Sequence, residues 1–121
     1  MTLRKIRLEL ARDHDFPQGS HEHGYEFVAP LDGTGHIDVE GWRARRKDCT
    51  VRRFWRGEDD FHGHLVHTPG RRWVFHYDLD SEPEADEPGY RFDSHRFAVG
   101  EYVSIAEHDG VLRTFRVVSV A

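Results

Sequence analysis

The chain has one cysteine, one methionine and no long apolar run. A single thiol, Cys49, excludes an intrachain disulfide framework and suits a reducing, cytoplasmic setting. No stretch approaches the ~20 apolar residues that a membrane-spanning helix needs. The opening MTLRKIRLELARDHD carries charge every few residues where a signal segment would be apolar. A cytoplasmic protein without a membrane partner is the expectation. Positive charge is not in excess either. The formal net charge of -5 disfavours nucleic acid as a bulk electrostatic partner. No Gly-x-Ser-x-Gly elbow, phosphate-binding loop or dinucleotide fingerprint is present.

What the chain does have is aromatic and histidine side chains. Apolar residues make up only 37% of its 121 positions, so eight Phe, four Tyr and three Trp must fill much of the core. A chain of this length forms one domain, residues 1–121, and buries about two-thirds of its unfolded surface. Protonating all ten histidines would turn -5 into +5, so net charge crosses zero just below neutrality.

Period-two alternation dominates the pattern. KIRLELA sets Ile6, Leu8 and Leu10 against Arg7 and Glu9, a strand with one wet face. Residues 12–24 read as loop, and YEFVAPL as a short second strand closed by Pro30. Asp38 is placed to cap a short helix over roughly 38–47, with Val39, Trp42 and Arg46 at helical spacing and Gly41 weakening it. Then come TVRRFWR, HGHLVH, RWVFHYD, YRFDSHRF, EYVSIAE and VLRTFRVVSV, each a strand candidate. Thr-Pro-Gly-Arg and Asp109-Gly110 mark two hairpins, while the acidic, proline-broken segment 78–89 reads as a solvated loop. The expected fold is mainly β: a small antiparallel barrel or roll of about eight short strands with one short helix.

The stretch FHGHLVHTPGRRWVFHYD concentrates four histidines about a turn. His-x-His on a strand puts both rings on one face, and a third imidazole across the hairpin would complete a facial metal site. Register decides whether it arrives. If Pro69, Gly70 and Arg71 form the bend, His64 faces His76 and His62 faces Asp78. If the bend is only Pro69-Gly70, His76 falls on the other face. Type II turns suit two-residue hairpins badly, which favours the longer bend. The set His62, His64, His76 and Asp78 would hold a divalent transition metal such as zinc.

A second feature runs from Arg43 to Arg56. Seven basic residues face one acid, Asp48, with Trp42, Phe54 and Trp55 interleaved. Arg45, Arg52, Arg53 and Trp55 are the candidate ligand surface for a polyanion or single-stranded nucleic acid. The acidic segment, through Asp78, Asp80, Glu82, Glu84, Asp86 and Glu87, would mask that strip from within the chain.

The runs RKDCTVRRFWRGEDD and HRFAVGEYVSIAEHDGVLRTFRVVSV resemble a family of short, mostly proteobacterial proteins to which no activity is assigned. The resemblance implies a single-domain protein that stands alone and brings no catalytic motif. His21, His23, Glu26 and Gly33 in HEHGYEFVAPLDG partly resemble the first cupin motif, one residue short before the glutamate. That likeness implies a metal-binding barrel, although the missing residue turns Glu26 away from the histidines. The leading expectation is therefore a non-enzymatic binding or accessory module. A metal-dependent enzyme of cupin-like barrel type is the alternative, and a protein-interaction scaffold the third.

Overall fold

A computed structural model describes residues 2–70, 72–78, 86–90 and 92–121, residue 90 by its backbone alone. Eight antiparallel strands close into an up-and-down barrel in sequence order. They are β1 (Leu3–Leu10), β2 (Ser20–Pro30), β3 (Thr50–Trp55), β4 (Phe61–His67), β5 (Trp73–Tyr77), β6 (Glu87–Tyr90), β7 (Tyr102–Ala106) and β8 (Leu112–Val120). Strand β1 pairs with both β2 and β8, so the sheet has no free edge there. The short helix α1 (Val39–Ala44) and a 3-10 turn over Arg46–Asp48 join β2 to β3.

Alternation decides what enters the barrel. Ile6, Leu8, Tyr25, Phe27, Leu65, Trp73, Phe75, Tyr77, Val103, Ile105, Phe115 and Val117 are all buried. Eight strands enclose just enough room for side chains, and aromatic rings take most of it. Tyr25 lies 5.1 Å from both Phe75 and Phe115, and Phe27 lies 5.3 Å from Phe75. Helix α1 plugs one end. Trp42 packs edge-on against Trp73 at 5.5 Å, and its indole N–H donates to the Leu65 carbonyl at 2.8 Å. The Asp38 carboxylate caps the helix by accepting from the Gly41 N–H at 2.7 Å. A Cβ on Gly41 would sit 2.9 Å from that carboxylate. The glycine that weakens the helix thus lets its cap close.

Three expectations need correction. Residues 20–24 are strand, because Ser20 and Gly24 pair with Leu10 and Glu9 across an irregular step in β2. Their polar composition hid this. YRFDSHRF is not one strand. A turn at Asp93-Ser94, both good turn formers, folds Phe92 and Phe97 back into the end of the barrel, 5.1 Å apart. The acidic segment is not all loop: β6 begins at Glu87, whose side chain is fully buried. Residues 79–85 of that segment lie outside the described residues. The hairpin of β7 and β8 and the closure of β2 at Pro30 agree with the sequence reading.

The outer wall is charged along its length, with Lys5, Arg7, Glu26, Arg52, His62 and His64, where a membrane barrel would carry an apolar band. No helix among the described residues is long and apolar enough to cross a membrane.

Gly63 measures how tightly β4 coils over β5. A Cβ there would fall 1.9 Å from the His76 carbonyl oxygen, and backbone cannot yield cheaply. Gly63→Ala is expected to destabilise by about 2 kcal/mol or more. Gly33→Ala, with nothing within 4 Å of its Cβ, should be near neutral. Urea unfolding of the two variants checks the difference.

Candidate functional site

Two places concentrate chemically capable side chains. The first is the barrel mouth opposite α1, where β2, β3, β5, β6 and β7 bring buried polar groups together. Glu87 is fully buried and Glu107 is 4% exposed, beside Tyr25, Tyr77 and Arg53. The Tyr25 hydroxyl hydrogen-bonds Glu107 and reaches Glu87 at 2.9 Å, and the Tyr77 hydroxyl also donates to Glu87. Arg53 Nε donates to Glu107 at 3.3 Å and stands 3.9 Å from Glu87. His108, in the β7–β8 turn, donates its backbone N–H and Nδ1–H to the other Glu87 oxygen, each at 2.9 Å.

Charge is unbalanced here. Two carboxylates face Arg53, while Arg113 reaches Glu107 at 3.8 Å but is held more closely by Asp13 and Asp15, in an interior that disfavours a second negative charge. Burial, and then the neighbouring Glu87 charge, push the Glu107 carboxyl up to about 7. Burial and the same acids push the hydroxyls of Tyr25 and Tyr77 far up, so both remain donors. Burial works against the charge on Arg53, but Glu107, Tyr25 and Glu87 outweigh it and hold the guanidinium charged. The mouth is rimmed by Trp55, Phe61 and Phe16. Arg53 lies 4.2 Å from the Trp55 ring centre, and His23 is packed 4.5 Å from the same ring.

Glu87, Glu107 and His108 are the group of three among the described residues whose ligand atoms already lie within 4.8 Å of one another. They suit a metal poorly. Glu87 already accepts two tyrosine hydroxyls and two N–H groups, and Arg53 occupies the cationic position. What this arrangement can do is hold a proton near neutrality, with His108 the partly exposed group above it.

The second place is the outer wall of β3, β4 and β5. Register puts His64 opposite His76 and Gly63 opposite Tyr77. The Thr68 N–H donates to the Arg72 carbonyl at 2.8 Å and the Asp78 N–H to the His62 carbonyl at 2.9 Å, so Thr68–Arg72 and His62–Asp78 belong to one ladder. His62, His64, His76 and Asp78 therefore share the outer face, while Leu65, Trp73, Phe75 and Tyr77 line the interior. Each of two rings has its own carboxylate. His64 Nδ1 lies 3.3 Å from Asp78, and His76 Nδ1 lies 2.7 Å from Asp86. A groove of about 330 Å³ beside them is lined by Lys5, Glu26, Thr50, Arg52, His62, His64 and Asp78.

The four candidate residues of the basic strip do not form one surface. Arg52 lies in the groove, bonded to Glu26 and, at 2.9 Å, to Asp60. Burial opposes ionisation of Glu26, but the hydrogen bond to Arg52 holds its carboxyl below the usual range. Arg53, one residue on, points inward at 3% exposure, and strand alternation is the reason. Trp55 sits at the mouth, and Arg45 follows α1 in an ion pair with Asp48 at 2.7 Å. Arg43 pairs with Glu40, and Arg56 with Glu22 at 3.2 Å. The partners of Arg43, Arg45, Arg52 and Arg56 come from their own neighbours and from β2. Of the acidic segment expected to mask the strip, Glu87 meets Arg53 at 3.9 Å, and Asp80, Glu82 and Glu84 lie outside the described residues. His23 turns inward and Glu26 outward, while His21 is exposed 3.5 Å from Glu9, so the three do not converge. Cys49 is buried and its thiol is pushed up to about 11 by burial, so it is no nucleophile at neutral pH.

Arg53, Trp55 and Glu87 were singled out for other roles, but their convergence with Glu107 escaped the sequence reading because nothing pairs two of twenty-two acids. A usable signal exists all the same. Arg53 follows Val51 at inward parity, and Glu107 continues the row Val103, Ile105. A charge at the end of an apolar alternation marks an interior polar site. Comparison with protein-family models, with curated proteins and with solved structures gives no match to this chain.

Two tests address the mouth. Arg53→Ala strands two buried carboxylates and should cost about 3–5 kcal/mol, against less than about 1 kcal/mol for Arg52→Ala on the wet wall. Denaturant titration separates them. The Glu107 carboxyl is raised from 4.5 to about 7, so its contribution is complete below pH 4.5 and is lost as pH climbs to about 7. The stability difference between the parent protein and Glu107→Gln should therefore fall across that window, by on the order of 3 kcal/mol, and flatten above it.

Proposed function

We propose that this protein is a non-enzymatic binding module that takes its ligand on the outer wall of the barrel. One observation carries the reading: the groove of about 330 Å³ over β2, β3 and β4 gathers Lys5, Arg52, His62, His64 and Asp78, while the interior is packed with aromatic rings. A barrel of eight strands has room for side chains or one small ligand, not for both. The ionisable groups at the mouth are engaged with one another, which supports a structural part for them. The arginines expected to hold a polyanion have acid partners, and exposed ion pairs of this kind leave little free positive field. A small ligand that meets imidazole, ammonium and carboxylate groups together fits the groove better than a long anionic chain.

The test is where ligands land. Isotope-labelled protein is titrated separately with Zn(II), inorganic phosphate and a single-stranded oligonucleotide while backbone NMR shifts are followed. The expected result is saturable perturbation by at least one probe at positions 50–52, 62–64 and 76–78. Perturbation centred on Tyr25, Tyr77, Glu107 and His108 would overturn the outer-wall reading, and so would no response to any probe.

A further inference from the structure

We infer that the outer wall is a divalent transition-metal site, with His64 and His76 as its ligands and Asp78 and Asp86 as the carboxylates that orient them. The inference rests on the outer-wall reading above and names its ligand. Its first support is register. Thr68–Arg72 and His62–Asp78 are both backbone-bonded pairs. Pairs alternate every two residues along an antiparallel ladder, so His64–His76 belongs to the same class, with Cα atoms about 5.5 Å apart. Two side chains at that separation on one face can close on a single ion. His62, two residues before His64, projects from the same face and supplies a third imidazole.

The second support is independent of register. A metal-bound histidine characteristically gives its other ring N–H to a carboxylate, which fixes the tautomer and aims the lone pair. Both rings do this here: His64 Nδ1 is 3.3 Å from Asp78 and His76 Nδ1 is 2.7 Å from Asp86. With each Nδ1–H donated, the Nε2 atoms carry the lone pairs. Zinc, nickel and copper take imidazole nitrogen readily, zinc at about 2.0–2.1 Å. The ligands themselves are neutral, and the two carboxylates match the charge of a divalent ion. Arg52, the nearest guanidinium in the groove, is held by Glu26 and Asp60 and does not oppose it. The ligand atoms do not already converge as those at the mouth do. The His64 and His76 side chains are 38% and 45% exposed, so both rings are open to an ion from water.

The experiment uses untagged full-length protein and Zn(II) alone, in competition with a chromophoric chelator. One equivalent is expected to bind. His64→Ala and His76→Ala should each weaken binding at least tenfold, and Asp86→Asn by about tenfold. His108→Ala should leave the affinity unchanged. Thermal midpoints of the wall variants should match the parent, because the substituted side chains are solvent-facing. Unchanged affinity in both histidine variants, or loss in His108→Ala alone, would overturn the site. Absence of Zn(II) binding would also overturn it, while wall perturbation by phosphate or oligonucleotide would leave the outer-wall reading standing.

Discussion

Filling a narrow closed barrel is the constraint on which everything else depends. Eight short strands must coil around a space that Tyr25, Phe27, Trp73, Phe75, Phe92, Phe97 and Phe115 almost exhaust. Each strand presents its residues alternately to that space and to water, so packing the aromatics fixes which polar groups face outward. Trp73, Phe75 and Tyr77 enter; His76 and Asp78 therefore leave. The histidine wall is a by-product of core packing before it is anything else.

The same constraint explains the mouth. Where the aromatic layers stop, Val51 and Val103–Ile105 give way along the same inward rows to Arg53 and Glu107. Buried charge is tolerated only when paired and hydrogen-bonded. Arg53, the two tyrosine hydroxyls and His108 supply those partners, and a proton on Glu107, whose carboxyl is raised to about 7, offsets negative charge. Such a network costs desolvation energy that an apolar plug would not. It gives the open end of the barrel one register, since a slip in β3 or β6 would strand a charge.

Much of this was legible beforehand, and the reasons are specific. The alternation in KIRLELA and in VLRTFRVVSV encodes a one-sided strand whatever its partners. The register that sets His64 opposite His76 followed from the poor match of Pro-Gly type II geometry to a two-residue hairpin. Asp38 was a readable cap because only its own helix had to answer it. What resisted reading depends on distant chain segments. Glu87 sits 20 positions from Glu107 and 34 from Arg53, and nothing local in an acidic, proline-broken segment reveals burial. Arg52 and Arg53 look alike in sequence, yet one is paired on the wall and the other is sealed inside. Ser20–Gly24 reads as loop until β1 is laid beside it.

The account therefore separates a mouth that holds the barrel shut from a wall that meets ligand. Anomalous scattering from crystals of the zinc-loaded protein, collected across the zinc edge, tests that division most directly. The account predicts one peak on the outer wall, bonded to Nε2 of His64 and of His76, with Glu87 and Glu107 unaltered in their contacts. A peak between Glu87, Glu107 and His108, or no peak near the wall at full loading, would contradict it.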